Sequence, residues 1–176
     1  MITNLKPKLV VLFTTIAMFA LPVAAHANQI KMYGGLTGTG GKCLDDPGAS
    51  HAPITWLWIY PCNGTPAQNW TPQFLFWSHY PDVPVYLWHN AASGLCLAVK
   101  YNSWANGTPA IQYYCNPNDR AEQIETSYNP FGGVTFRHYG TEKCLDNQYN
   151  RNATGNHVWW YSCNGAGAQE WEVWMN

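Results

Sequence analysis

Residues 43–45 read CLD, residues 96–98 read CLA and residues 144–146 read CLD, so one tripeptide occurs three times. A second cysteine follows each copy after the same number of residues, which indicates an internal repeat. Six cysteines allow about 15 pairings, but the repeat favours the local one within each copy. The predicted disulfides are Cys43–Cys62, Cys96–Cys115 and Cys144–Cys163. The close C-x-x-C spacing of zinc sites does not occur in the sequence, so no metal site is predicted.

The sequence around the cysteines repeats as well. A β-like stretch with a Gly-containing turn precedes the first cysteine, as in VYLWHNAASGLC at 85–96. Another stretch precedes the second, and a short closing strand follows it, as in NHVWWYSCNGAGAQEWEV at 156–173. Each repeat thus supplies about four short strands and cannot bury its apolar face alone. We therefore predict one all-β domain over 28–176, with three repeats (about 28–75, 82–127 and 131–176) in pseudo-threefold symmetry.

Residues 1–27 have the pattern of a secretory signal peptide. Lys6 and Lys8 precede an apolar run at 9–21, and Ala25-His26-Ala27 is a small-x-small cleavage pattern. The apolar run is shorter than the roughly 20 residues that a membrane-spanning helix needs. We therefore expect a secreted protein, extracellular or periplasmic, that is cleaved after about Ala27 and has no membrane span.

The composition of the remaining chain favours binding through aromatic surfaces. The full sequence has 9 basic and 10 acidic residues, and removal of the two lysines of the signal peptide leaves a net charge of −3. Nucleic acids and anionic lipids call for a basic face, so neither is the expected partner. The 10 Trp and 11 Tyr residues instead provide flat, half-polar surfaces that suit a bound ligand.

Three motifs resemble those of the ricin B-type β-trefoil lectins, also described as a QxW carbohydrate-binding module family. They are the Cys-Leu-Asp start, the aromatic residue two positions before the second cysteine, and Gln-x-Trp at 68–70 and 169–171. The middle repeat departs from the last motif with Gln-Ile-Glu at 123–125. The resemblance implies a β-trefoil, in which three hairpins cap a six-stranded barrel and up to three shallow pockets bind sugars. It implies neither a cofactor nor a catalytic residue.

The resemblance also implies which residues bind sugar. A carboxylate can accept hydrogen bonds from two sugar hydroxyls, and an aromatic ring can cover the C–H face of the sugar. Repeats one and three have both groups, whereas repeat two has Ala98 in place of the aspartate. We therefore expect two pockets, in which the tryptophans are second platforms and the glutamines contact sugar or brace the aspartate. The predicted residues are Asp45, Trp58, Tyr60 and Gln68 in repeat one, and Asp146, Trp159, Tyr161 and Gln169 in repeat three.

Several alternatives stay open from the sequence. Asp45 and Asp146 could instead accept backbone N–H groups in tight turns. An enzyme is not expected, because glycoside hydrolysis usually needs two carboxylates about 5–10 Å apart and these aspartates belong to different repeats. The resemblance favours galactose or N-acetylgalactosamine glycans as partners, with xylose polymers as the alternative. The chain could also be the cell-binding subunit of a toxin with a partner subunit, or a β-trefoil protease inhibitor that presents FWSHYPDVPV at 76–85 as a protruding loop.

Overall fold

The computed structural model describes residues 28–33, 41–79, 82–129 and 132–173, and the predicted signal peptide at 1–27 lies outside them. The described residues form twelve strands and six short 3-10 helices, with no α-helix among them. The strands are β1 (Ile30–Met32), β2 (Lys42–Asp45), β3 (Trp58–Pro61), β4 (Trp70–Trp77), β5 (Pro84–Asn90), β6 (Cys96–Val99), β7 (Thr108–Tyr113), β8 (Ile124–Tyr128), β9 (Val134–His138), β10 (Lys143–Asn147), β11 (Asn156–Ser162) and β12 (Trp171–Val173). The 3-10 helices are Pro47–Ala49, Pro66–Gln68, Lys100–Asn102, Arg120–Glu122, Gln148–Asn150 and Gly167–Gln169.

The first and last strands of the three repeats form an antiparallel barrel. Pairing runs from β1 through β12, β9, β8 and β5 to β4. The ring closes just before β1, where Gln29 bridges Asn69 and Trp70 N–H donates to the Asn28 carbonyl at 2.8 Å. The other six strands form the hairpins β2–β3, β6–β7 and β10–β11. This architecture confirms the predicted β-trefoil. No helix in the described part of the chain is long and apolar enough to cross a membrane.

The cysteine and the leucine of the repeated tripeptide stabilise the fold in different ways. The cysteines form the three predicted disulfides, Cys43–Cys62, Cys96–Cys115 and Cys144–Cys163. The leucines are fully buried. The carbonyls of Leu44 and Leu145 accept hydrogen bonds at 3.0 Å from the indoles of Trp70 and Trp171, the tryptophans of the Gln-x-Trp motifs. The Cys-Leu-Asp and Gln-x-Trp motifs therefore recur together, because the leucine carbonyl of the first accepts a hydrogen bond from the buried indole of the second.

The middle repeat closes without the third motif tryptophan. The 3-10 helices before the closing strands end at Gln68, Glu122 and Gln169, so the counterpart of Trp70 and Trp171 is the fully buried Ile124. The alignment of Gln-Ile-Glu at 123–125 with Gln-x-Trp is therefore one residue out of register, and Glu125 instead forms an ion pair with Arg137 of β9. Trp160 of repeat three, also fully buried, donates to the Ala98 carbonyl of repeat two at 3.3 Å. The carbonyl of Ala98 thus accepts a hydrogen bond from an indole of a neighbouring repeat.

The segment 76–85, expected as a protruding loop, is mostly paired strand. Trp77 lies opposite Pro84 and Phe76 opposite Val85 in the β4–β5 hairpin. Ser78 N–H also donates to the Val83 carbonyl at 3.0 Å. Aromatic and β-branched residues favour a pleated strand, so the hairpin continues through most of the segment. In its described residues, 76–79 and 82–85, the segment is therefore a paired hairpin and not an open loop.

Candidate functional site

An open cleft of about 650 Å³ lies beside the β2–β3 hairpin of repeat one, within the volume range of small-molecule sites. Asp45 and Trp58 are directly opposite each other in this hairpin. Tyr60 projects from the same face because strand side chains alternate. All three line the cleft, together with Asn63, Thr65, Pro66 and Ala67 and with Ala91 and Ala92 of repeat two. The hairpin register thus brings three of the four predicted residues of repeat one together in one cleft.

The carboxylate of Asp45 is held in place by the indole of Trp58. The residue is 5% exposed, and Trp58 Nε1 donates to Asp45 Oδ1 at 2.6 Å. Burial raises the pKa of Asp45, and hydrogen bonds from the Trp58 and Gln68 side chains oppose this rise. An ionised carboxylate has about four acceptor positions. The Trp58 indole and the Gln68 side chain occupy two of them, which leaves acceptor capacity beside the ring.

Repeat three has the same arrangement. Asp146 lies opposite Trp159 in the β10–β11 hairpin, and Trp159 Nε1 donates to Asp146 Oδ1 at 2.7 Å. Gln169 Nε2 donates to the other carboxylate oxygen at 2.9 Å. Burial raises the pKa of Asp146, and these two hydrogen bonds oppose the rise. The donors to both aspartates are side chains, which does not support the tight-turn alternative.

The two glutamines lie behind the aspartates. Gln68 and Gln169 are 0% and 2% exposed. Their Oε1 atoms accept from the backbone N–H groups of Asn63 (2.8 Å) and Asn164 (2.9 Å). Their Nε2 atoms donate to the carbonyls of Pro61 (3.0 Å) and Ser162 (2.9 Å). Of the two roles expected for the glutamines, the geometry favours bracing over direct contact with a ligand.

Each carboxylate lies beside two aromatic rings with similar orientation. The ring centroids of Trp58 and Tyr60 are 5.9 Å apart with an interplanar angle of 24°, and those of Trp159 and Tyr161 are 5.4 Å apart at 25°. Tyr60 is 37% exposed. Each pair therefore forms a shallow aromatic surface that can cover an apolar ligand face.

Repeat two has a smaller cleft at the equivalent place, about 210 Å³ in volume. Ala98 is opposite Ile111, so the carboxylate and the indole are both replaced. Ile54 of repeat one also lines this cleft. Gln112 is buried and donates to the carbonyls of Ser50 and Ala52. This strand of repeat two therefore contributes packing and a backbone contact in place of the polar face of its counterparts.

Asp46 lines the repeat-one cleft although strand alternation predicts the opposite direction from Asp45. Strand β2 ends at Asp45, so the alternation does not extend to the next residue. Asp46 is fully buried, and neither carboxylate oxygen forms a hydrogen bond of standard geometry within the described ranges, although the Ser50 backbone and the Gln112 side chain lie close enough to oppose the rise in its pKa. Burial, and to a lesser extent the charge of Asp45, raises the pKa of Asp46 to about 7. The equivalent residues Val99 and Asn147 are uncharged, and this difference was the only signal in the sequence.

Sequence reasoning also missed Tyr149 in repeat three. Its side chain is 65% exposed and contacts the Trp159 ring nearly edge-on, with centroids 5.0 Å apart. Its φ of 57° lies in the left-handed region, which is uncommon for a bulky residue. The equivalent residue in repeat one is Gly48. The repeat-three site therefore has an aromatic wall that the repeat-one cleft lacks.

The fold is a β-trefoil in which two of the three hairpins have the same pairing of an aspartate with a tryptophan. Residues 85–176 match the family model of the ricin-type β-trefoil lectin domain, and residues 36–113 match that of the ricin-type β-trefoil lectin domain-like family. The chain therefore belongs to the ricin-type β-trefoil lectin domain family. A search of curated protein sequences gives no significant match.

Solved structures with the same fold include lectins and a toxin. The Rhizoctonia solani agglutinin is 18% identical, with a TM-score of 0.68 over 89% of this chain and 100% of its own. The Macrolepiota procera ricin B-like lectin, solved with lactose, is 16% identical, with a TM-score of 0.65 over 89% and 100%. The Haemophilus ducreyi cytolethal distending toxin is 21% identical, with a TM-score of 0.63 over 87% and 86%. At these identities the likeness shows the shared fold.

Proposed function

We propose that the protein is a secreted lectin that binds glycans through two shallow sites, one in repeat one and one in repeat three. The observation that carries the proposal is the same Asp–Trp–Tyr arrangement in both hairpins. Trp58 and Trp159 donate to Asp45 and Asp146 at 2.6 and 2.7 Å. An identical hydrogen bond in two hairpins places a fixed carboxylate beside an aromatic surface twice.

The chemistry of the sites fits a sugar. The remaining acceptor positions of each carboxylate can take hydroxyl hydrogens in charge-assisted hydrogen bonds, while the tyrosine covers the C–H face. We infer galactose- or N-acetylgalactosamine-type glycans. The Macrolepiota procera lectin supports this choice because it was solved with lactose, a galactose disaccharide. Two sites on one chain would also give avidity for multivalent glycans.

We infer binding without catalysis. The two site aspartates lie in different hairpins, whereas a glycosidase places two carboxyl groups on either side of one bond. Asp46 supplies a second carboxyl group in the repeat-one cleft, but it is fully buried. The matching arrangement in repeat three has Asn147 at this position. A binding role therefore explains both sites with one set of contacts.

A second candidate is the cell-binding subunit of a multi-component toxin. Its support is the structural likeness to the Haemophilus ducreyi cytolethal distending toxin. This function would use the same clefts for glycans and would add a partner subunit. Co-purification with a partner from the source culture would favour the toxin subunit over a free-standing lectin.

A glycan array on the secreted, oxidised protein, followed by titration calorimetry, tests the proposal. Asp45→Ala and Asp146→Ala should each remove one site, at a cost of about 1.5–3 kcal/mol for a charged hydrogen bond. The double variant should lose glycan binding and retain its near-UV circular dichroism. Asp119→Ala is the matched control, since Asp119 lines the repeat-two cleft. Unchanged binding by the double variant would place the glycan site elsewhere.

A further inference from the structure

His89 lies between two neighbouring strands that place polar groups on both of its ring nitrogens. It is opposite Cys96 in the β5–β6 pair. His89 Nδ1 is 3.5 Å from Cys96 Sγ and 3.3 Å from Cys115 Sγ. On the other side, His89 Nε2 is 2.8 Å from Gln73 Oε1 of β4. The imidazole nitrogen and both sulfur atoms of the middle disulfide therefore lie within 4.8 Å of one another.

The contact with Gln73 defines the protonation of the imidazole. The amide oxygen only accepts hydrogen bonds, so Nε2 carries the ring hydrogen in this arrangement. Nδ1 is then an unprotonated nitrogen whose lone pair faces the two sulfur atoms. Histidines that ligate metals usually donate their other ring N–H to a carbonyl or carboxylate in the same way. The middle disulfide is thus flanked by a nitrogen that is oriented as a ligand.

The other two disulfides have different neighbours at the equivalent position. Lys31 is opposite Cys43, and Arg137 is opposite Cys144. Lys31 forms an ion pair with Glu172 at 3.7 Å, and Arg137 forms one with Glu125. These cationic groups have no free lone pair for a metal ion. Among the residues that the structure describes, the three disulfides therefore differ in whether a ligand nitrogen lies beside them.

We propose that reduction of Cys96–Cys115 creates a binding site for a soft divalent metal ion, with Zn²⁺ as the expected ion. A phosphine reductant takes up oxygen from water, and the disulfide gains two electrons and two protons to become two thiols. Zn²⁺ then displaces both thiol protons and is bound by two thiolates and His89 Nδ1. The fourth tetrahedral position is left to water. A set of two cysteines and one histidine suits zinc.

The expected consequence is an exchange of one cross-link for another. In the oxidised protein the disulfide joins the start of β6 to the second residue after the hairpin strand β7. In the reduced protein the metal would join the same two cysteines and add β5 through His89. The site depends on reduction because thiolates, and not disulfide sulfurs, are the metal ligands. This inference does not depend on glycan binding.

Cysteine alkylation after phosphine reduction tests the proposal residue by residue. Zn²⁺ should slow the reaction of Cys96 and Cys115 with iodoacetamide, as mapped by peptide mass spectrometry, and leave the other four cysteines unprotected. Co²⁺ titration should give thiolate charge-transfer absorption that saturates at one ion per chain. The oxidised protein should give neither signal. Equal protection of all six cysteines, as expected for an unfolded reduced chain, would overturn the proposal, as would no protection.

Two variants separate a built site from adventitious thiol binding. His89→Lys introduces the residue type found at Lys31 and should abolish the protection of both cysteines by Zn²⁺. Gln73→Leu removes the group that orients the imidazole and should weaken metal affinity about 10- to 100-fold, the usual effect of losing such a partner. Near-UV circular dichroism of each reduced variant monitors the fold. Protection that persists in His89→Lys would overturn the assignment.

Discussion

Gly155 of repeat three lies against Trp58 of repeat one, such that a Cβ at Gly155 would be 3.3 Å from Trp58 Cε3. Gly107 of repeat two has the same relationship to Trp159 of repeat three, at 3.4 Å. Both glycines have positive φ values, 79° and 80°. The position of the tryptophan in each candidate site thus depends on the neighbouring repeat.

Gly155→Ala should weaken glycan binding at the repeat-one site and leave the repeat-three site intact, because the new methyl group displaces Trp58. Gly107→Ala should affect the repeat-three site less, because a methyl group 3.4 Å from Trp159 is in ordinary van der Waals contact. Left-handed backbone conformation costs an alanine about 1–2 kcal/mol, so both variants should also lose stability. Gly165→Ala is the control, since Gly165 has a φ of 66° but nothing within 4 Å of its Cβ position. Calorimetric stoichiometry that falls equally in all three variants would contradict the cross-repeat role.

Trp159→Phe should destabilise the protein and raise the pKa of Asp146. The change removes the indole donor at 2.7 Å and leaves Gln169 as the remaining donor. An under-satisfied buried acceptor costs about 1–3 kcal/mol. The difference from the wild type should appear in denaturant unfolding at neutral pH and shrink at low pH, where the carboxyl group is protonated. Tyr161→Phe, which keeps the indole donor, should not show this pH dependence.

Sequence analysis correctly predicted the parts of the fold that depend on contacts inside one repeat. Equal cysteine spacing predicted the disulfides, and Trp70 and Trp171 have the repeated partners Leu44 and Leu145. The disulfides recur in all three repeats and the contact between tryptophan and leucine in two, so the repeated sequence itself reveals them. The register of the hairpins then follows, and with it the pairing of Asp45 with Trp58.

The features that sequence analysis missed arise between repeats or at strand ends. The contact of Gly155 with Trp58 joins residues from different repeats, and no local pattern encodes it. Asp46 lines the cleft because β2 ends one residue earlier, and strand ends are poorly marked in sequence. His89 faces the middle disulfide through the β5–β6 register. These positions follow from packing and not from periodicity.

Asp46→Asn should stabilise the protein at neutral pH. Its ordinary pKa of 3.8 is raised to about 7 by burial and by Asp45, so the folded state binds more protons than the unfolded state between these values. Stability from this group therefore falls as pH rises from about 4 to 7. The variant should gain about 1–3 kcal/mol at and above pH 7, the usual cost of an unsatisfied buried polar group, and little at pH 4. Asn147 at the equivalent position indicates that an amide is accommodated.

The control for this prediction is the wild-type profile itself. Burial also raises the pKa of Glu122 to about 7, so the wild-type protein has two groups in the same window. Only the difference between variant and wild type, measured by urea unfolding at several pH values, isolates Asp46. A difference that stays constant from pH 4 to 8 would exclude a titrating carboxyl group as its cause.

Ile54 explains why Ala98→Asp alone should not create a third site. It occupies the position of Gly107 and Gly155. The N–H groups of these three residues donate to equivalent carbonyls of a neighbouring hairpin, those of Gln112, Trp160 and Ile59. The φ of 66° at Ile54 is strained for a β-branched residue, and its side chain lines the repeat-two cleft with Ile111. A new carboxylate at position 98 would therefore be buried without an indole donor.

The triple variant Ala98→Asp, Ile111→Trp, Ile54→Gly should raise the number of bound sugars from two to three. The tryptophan supplies the N–H donor, the glycine leaves room for its ring, and Tyr113 already provides the exposed aromatic face. Ala98→Asp alone should instead lower the free energy of unfolding by about 1–3 kcal/mol, as expected for an unsatisfied buried acceptor, and bind no additional sugar. Calorimetry with a monovalent sugar gives the stoichiometry, and denaturant unfolding gives the stability. A folded triple variant that still binds two sugars would show that the carboxylate, indole and tyrosine do not suffice for a site.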